Sequence, residues 1–212
     1  MADRARLPRN GDEIRRQQRR EALAAALALL ARQKPADAKE ARDIHRIQSL
    51  ITAHPDIFSS SCEVGHVTAS AVIVELESRR TLLHYHKRLG RWLQVGGHVE
   101  RETEIAQAAL REAREETGLP DLRFHRAECP ASPIDIDVHS IPRRGDQPEH
   151  LHLDFRYLLL TSQPDALVPA EGESTRLRWL SFLEALNMGD EIDASLRRLL
   201  LKARKLAPGN TT

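Results

Sequence analysis

Three glutamates within a single helical turn constrain this chain more than any other feature. Glu112, Glu115 and Glu116 stand at i, i+3 and i+4 in the stretch Arg-Glu-Ala-Arg-Glu-Glu-Thr-Gly, residues 111–118. The segment Glu104–Thr117 holds good helix formers and neither Gly nor Pro. Thr103 is its expected N-cap, and Gly118 followed by Pro120 is its expected stop. Ile105, Ala109 and Ala113 give it a narrow apolar stripe for packing. The carboxylates therefore share one face, repel one another, and crowd the helix C-terminus, the unfavourable end for anions. A solvated acidic face is one explanation. A hard divalent cation is the other, since Mg²⁺ takes oxygen ligands and joins carboxylates to substrate phosphates. Gly96-Gly97 upstream reads as a turn that lets a ligand approach the backbone closely.

Gly97, Arg111, Glu112, Ala113, Glu115, Glu116, Gly118 and Leu119 are spaced as in the signature box of the Nudix hydrolases, and Gly97–Leu119 resembles that box. One position departs: Thr103 stands where the box has its first Glu, with Glu102 and Glu104 on either side. The resemblance extends over roughly residues 64–185. It implies a Nudix fold of the α/β (α+β) class, a mixed sheet sandwiched between helices. It also implies a metal-dependent hydrolase that cleaves a phosphoanhydride of a nucleoside diphosphate linked to another group, with Mg²⁺ (or Mn²⁺) as cofactor. By position, Glu115 and Glu116 become metal ligands, Glu112 a third ligand or a base assisting water, and Gly96 a backbone contributor. Glu100 is a lesser candidate in the same loop. Gly97, Arg111 and Gly118 take structural roles. Glu173, with Glu171 as alternate, fits the acidic residue that many relatives carry before the last strand, as ligand or base. Thr103 cannot accept a bidentate guanidinium, so Arg111 must pair with Glu102 or Glu104, or with Glu115 one turn on. Two alternatives share the fold. An isoprenoid diphosphate isomerase-like enzyme needs a catalytic Cys and acid, but Cys62 and Cys129 lie outside the box. A non-catalytic nucleotide-binding domain has a degraded box, whereas Arg-Glu-x-x-Glu-Glu here is intact.

The chain of 212 residues divides into a basic tail and helical extension (1–57), the main domain (58–206) and a frayed end (207–212). A net charge of +1 gives no bulk attraction for nucleic acid or membrane, although seven Arg against three acidic residues mark the first twenty positions. The expected partner is a small nucleotide-type molecule. No run of eighteen apolar residues, no secretory leader and two isolated cysteines point to the cytoplasm. The Cys pair reads as reduced thiols, with a single disulfide as the other option. Glu13–Gln33 reads as a helix whose Ala- and Leu-rich stretch Ala22–Ala31 must be buried against the domain or a partner subunit. A second helix capped by Asp37 runs to about Ala53 with Ile44, Ile47, Leu50 and Ile51 on one face; a homodimer through these helices is the lesser option. Strands are expected at His66–Leu76, Arg80–His86 and Arg91–Val95.

Ile134–His139 and His150–Phe155 alternate strictly, so each is a half-buried strand. Pairing His139 with His150 sets Asp137 opposite His152 and Asp135 opposite Asp154, with three Asp and three His on one face. That face is a solvated sheet side, a cleft wall where His donates to phosphate, or a second site for a His-favouring metal such as Zn²⁺ or Mn²⁺. Leu177–Phe182 is the last expected strand, and Asp190–Leu206 the last helix.

Overall fold

Alternation decides the centre of the molecule. The computed structural model describes residues 10–87, 89–99, 104–128, 131–143, 145–146, 148–169 and 176–209. In chain order its elements are α1 (Asn10–Ala31), α2 (Ala38–Ala53), β1 (Gly65–Glu75), β2 (Thr81–His86), β3 (Arg91–Leu93), β4 (Val95–His98), α3 (Ile105–Thr117), β5 (Arg123–Phe124), β6 (Asp135–Ile141), β7 (His150–Thr161), β8 (Leu177–Leu180), α4 (Phe182–Leu186) and α5 (Ala194–Leu206). The strands form one mixed sheet. β1 and β7 run parallel at its middle, from Gly65 beside Leu151 to Glu75 beside Thr161. Each forks: β1 pairs with β4 and then β2, β7 with β6 and then β5.

The odd-numbered residues Val67, Ala69, Ala71 and Ile73 of β1, with Leu153, Phe155, Tyr157 and Leu159 of β7, pack against Leu30, Ile47, Ile105 and Ala109 of α1, α2 and α3. The even-numbered Val72, Val74, Leu158 and Leu160 pack against Phe182, Leu196 and Leu199 of α4 and α5. The sheet is thus sandwiched between helices, an α+β arrangement. The even face changes chemistry midway. Before Val72 it carries His66, Thr68 and Ser70, and before Leu158 it carries His152, Asp154 and Arg156. Parity alone places these six side chains together on one side of the sheet.

One apolar face of the first two helices is buried within the chain itself, with Ala26, Leu29, Leu30, Ile47 and Ile51 in the core, while Ile14, Ala24, Ala25 and Ala28 of α1 stay exposed. Asp37 caps α2 by accepting from the Glu40 amide. α2 also docks on β6, an edge strand: Glu40 accepts from the Ile136 amide at 3.1 Å and Asp43 from the Val138 amide at 3.2 Å.

Three expectations need correction. Gly96 and Gly97 are not in a turn; they lie in β4, beside Ser70 and Ala69 of β1. The hairpin register differs by two residues: His139 stands opposite His152, Asp137 opposite Asp154, and Asp135 opposite Arg156. A shift of two keeps every side chain on its face, so the polar wall survives the change. The last helix starts only at Ala194, capped by Asp193, after a separate 3₁₀ turn at Gly189–Glu191. At the start of α3, Glu104 occupies the N-cap without a side-chain cap bond; Thr103 lies outside the described residues.

Gly96 holds a φ of 150°, and a Cβ there would meet Ser70 Cβ at 2.4 Å and the Ala69 carbonyl oxygen at 2.7 Å. Gly96→Ala would force β4 away from β1. The expected cost of about 2 kcal/mol or more, or about 4–8 °C in melting temperature, can be read from a thermal unfolding curve.

Candidate functional site

α3 carries its carboxylates to the strand β4. Glu116 is buried, accepts from the Gly96 amide at 2.6 Å, and has its second oxygen 3.2 Å from His84 Nδ1. Gly97 has no side chain because a Cβ there would lie 2.6 Å from all three atoms of the Glu112 carboxyl group. Arg111 ties the group together, donating to Glu112 at 2.9 Å, to Glu115 at 3.0 Å and to the His98 carbonyl at 2.9 Å. Of the pairings open to Arg111, the one with Glu115 is present among the described residues. Gly118 ends α3 at a φ of 69°, in the left-handed region. Burial pushes the Glu112 carboxyl above its ordinary value; Arg111 opposes this, and the charges of Glu115 and Glu116 add to it. Arg111 thus bridges two of the three carboxylates at the helix end. An oxygen donor set of this kind suits a hard cation.

Beyond Gly96–Gly97–His98 lies a cleft of about 840 Å³. The even face of the sheet forms its wall, with Thr68, Ser70, His139, His150, His152, Asp154 and Arg156. His84 and His86 line it from β2. Lys39 enters from α2 and Ser195 from the start of α5.

The floor of this cleft is an ion network. Arg156, buried to 4% exposure, donates to Asp154 and Asp137 at 3.0 Å each. Arg198 of α5 grips Asp135 with two bonds of 2.8 and 2.9 Å. Lys39 holds Asp137 at 2.6 Å, and Lys202 holds Asp135 at 2.9 Å and Glu40 at 2.5 Å. Burial opposes the Asp137 charge, yet Arg156 and bonds from His139, Lys39 and Ser195 outweigh it and hold the carboxyl far below the ordinary carboxylate range. Asp135, Asp137 and Asp154 are thus engaged by cations from α2, β7 and α5.

Above the network the histidines gather. The rings of His66 and His152 are 4.8 Å apart, those of His66 and His98 4.7 Å, and those of His139 and His152 5.4 Å. His139 Nδ1 lies 3.1 Å from Asp137, and His150 Nδ1 3.0 Å from the Pro148 carbonyl. Burial, with adjoining imidazoles adding, lowers His66 to about 4 and His152 to about 2. Both rings are therefore neutral, with lone pairs to offer.

The expected site residues thus fall into two groups. Glu112, Glu115, Glu116, Gly96, Gly97 and Arg111 form one cluster. His139, His150, His152, Asp137 and Asp154 form the cleft wall. Glu100, Glu102, Glu171 and Glu173 lie outside the described residues, as does Cys129; Cys62 is a buried free thiol. Sequence reasoning missed His66, His98, Arg156 and Arg198. Strand parity groups His66 with Thr68 and Ser70, but only the pairing of β1 with β7 sets it beside His152, and nothing in the sequence pairs Arg198 with Asp135. Among the described residues no helix is long and apolar enough to cross a membrane.

A family model described as the NUDIX domain matches residues 65–200. A protein of Lactococcus lactis subsp. cremoris named "Probable DHNTP pyrophosphohydrolase" is 30% identical over 103 residues, which cover 47% of this chain and 57% of that protein. The chain therefore spans little more than half the length of this curated relative. Among solved structures, a NUDIX-family hydrolase from Clostridium perfringens is 28% identical, covering 67% of this chain and 95% of that one, with a TM-score of 0.47. The E. coli dihydroneopterin triphosphate pyrophosphohydrolase is 19% identical, covering 63% and 91%, with a TM-score of 0.48.

Proposed function

The chain belongs to the NUDIX family, and from that membership we propose that it is a metal-dependent pyrophosphohydrolase acting on a nucleoside diphosphate linked to another group. The observation that carries this reading is the carboxylate cluster of Glu112, Glu115 and Glu116 against Gly96 and Gly97, at the edge of a cleft large enough for a nucleotide. Residues 58–206 are the proposed hydrolase domain, and the extension 1–57 packs onto it through α1 and α2, with Lys39 reaching the cleft.

Glu115 and Glu116 are the proposed metal ligands, with Glu112 as third ligand or as base toward the attacking water. Mg²⁺ or Mn²⁺ at this site would neutralise phosphate charge and lower the pKa of bound water. The chain's own residues do the positioning. The Gly96 amide fixes one oxygen of Glu116. Arg111 bridges Glu112 and Glu115 and anchors both to the His98 carbonyl, so the two carboxylates keep their spacing. Glu173 remains a proposed additional acid from the loop before β8.

A release assay tests the reading. Nucleoside triphosphates, nucleotide sugars, dinucleoside polyphosphates, ADP-ribose and dihydroneopterin triphosphate would be offered with Mg²⁺ or Mn²⁺, with and without chelator. Chelator-sensitive phosphate or nucleotide release from at least one member is expected. No release from any member would leave a nucleotide-binding domain without hydrolytic activity.

A further inference from the structure

We propose that His66, His98 and His152 form a second metal site, for a borderline first-row ion of the Zn²⁺ class, separate from the box carboxylates. Each of the three offers a ring nitrogen, and these atoms all lie within 4.8 Å of one another. Three imidazoles around a tetrahedral Zn²⁺, with bonds of about 2.0–2.1 Å, hold their nitrogens about 3.3 Å apart, so small ring rotations complete the site.

His66 supplies the independent sign of a missing ligand. It is 1% exposed, on β1, and neither of its ring nitrogens has a hydrogen-bond partner among the described residues. A buried imidazole with both nitrogens unsatisfied is costly in a folded protein. Its neighbours on the adjoining strands are two more imidazoles, His152 beside it in register and His98 one residue pair along. A cation bound there satisfies one nitrogen of His66 and draws one ring nitrogen from each of the other two.

The surroundings are those of an imidazole site. His139 and His150 stand next to His152, with ring centroids 5.4 Å away in both cases. Their Nδ1 atoms face the Asp137 carboxylate and the Pro148 carbonyl, a hydrogen-bonding pattern that turns Nε2 outward as a lone pair. No carboxylate lies among the three core ligands, so Mg²⁺ is a poor occupant and an imidazole-binding ion a good one. His98 and His152 line the cleft while His66 lies behind them. The fourth coordination position therefore opens into the cleft, where water or a phosphoryl oxygen can enter.

The test uses the full chain stripped with chelator and then dialysed against Zn²⁺ alone, with bound metal measured by mass spectrometry and Co²⁺ absorption as a spectroscopic probe. About one tightly bound equivalent is expected, with intense visible Co²⁺ bands of a nitrogen-rich site of low coordination number. His98→Ala and His152→Ala should weaken uptake by about 100-fold, no less than loss of an outer-sphere partner costs. Circular dichroism confirms that the variants are folded. Glu112→Gln, Glu115→Gln and Glu116→Gln combined should leave uptake intact, which separates this site from the hydrolytic one. No uptake by the stripped protein overturns the proposal, as does uptake abolished by the Glu changes or insensitive to both His changes.

Discussion

Glu116→Gln is expected to lower turnover about 100-fold or more with no loss of melting temperature, because it removes one charge and almost no shape. The Gln carbonyl can still accept from the Gly96 amide, so the tie between α3 and β4 is kept. What disappears is the anionic oxygen beside His84 and its share of the negative charge at the helix end. Relieving repulsion with Glu112 and Glu115 acts in favour of the fold. Steady-state hydrolysis with a good substrate, beside a thermal unfolding curve, makes the comparison. Near-normal turnover in the variant would remove Glu116 from the proposed site.

Arg198→Met is expected to cost about 3–5 kcal/mol, lowering the melting temperature by about 10 °C. Burial works against the Arg198 charge, but two bonds to Asp135, with the charges of Asp137 and Asp37, outweigh it. Removing the guanidinium leaves Asp135, which is fully buried, with only part of its compensation, from Lys202 and Arg156. The loss is therefore the cost of an under-paired buried carboxylate rather than of one contact. Pairing the change with Asp135→Leu should restore more than half of it, since an apolar pair avoids the stranded charge. A single variant that melts with the unaltered protein would show the network to be slack.

Much of this was legible from residue order. The helix α3, its Gly118 stop and its shared carboxylate face follow from composition and spacing. The polar face of the hairpin follows from strict alternation, and it survived a two-residue error in register because a strand's side chains repeat every two residues. Other features depend on long-range pairing, which local patterns do not encode. Gly96-Gly97 reads locally as a turn, but β1 recruits it as a strand. His66 became part of the wall only when β1 paired parallel with β7. Arg198 shows nothing in its own helix to distinguish it from a solvated cation; only the packing of α5 onto Asp135 reveals its role. Glu40 and Asp43 likewise read as ordinary helix-surface acids until β6 supplies the amides they accept from.

That last pairing bears on how molecules of this protein can meet. A strand at the margin of a sheet normally offers its amides to any passing strand, and intermolecular sheets grow by that route. In β6 the Ile136 and Val138 amides are already bonded to carboxylates from α2, and Lys39 donates to the Val138 carbonyl. A neighbouring chain that tried to add a strand there would have to displace three charged side chains first. The second helix, α2, therefore acts as a sealed hem along this margin of the sheet, closing β6 to strand addition.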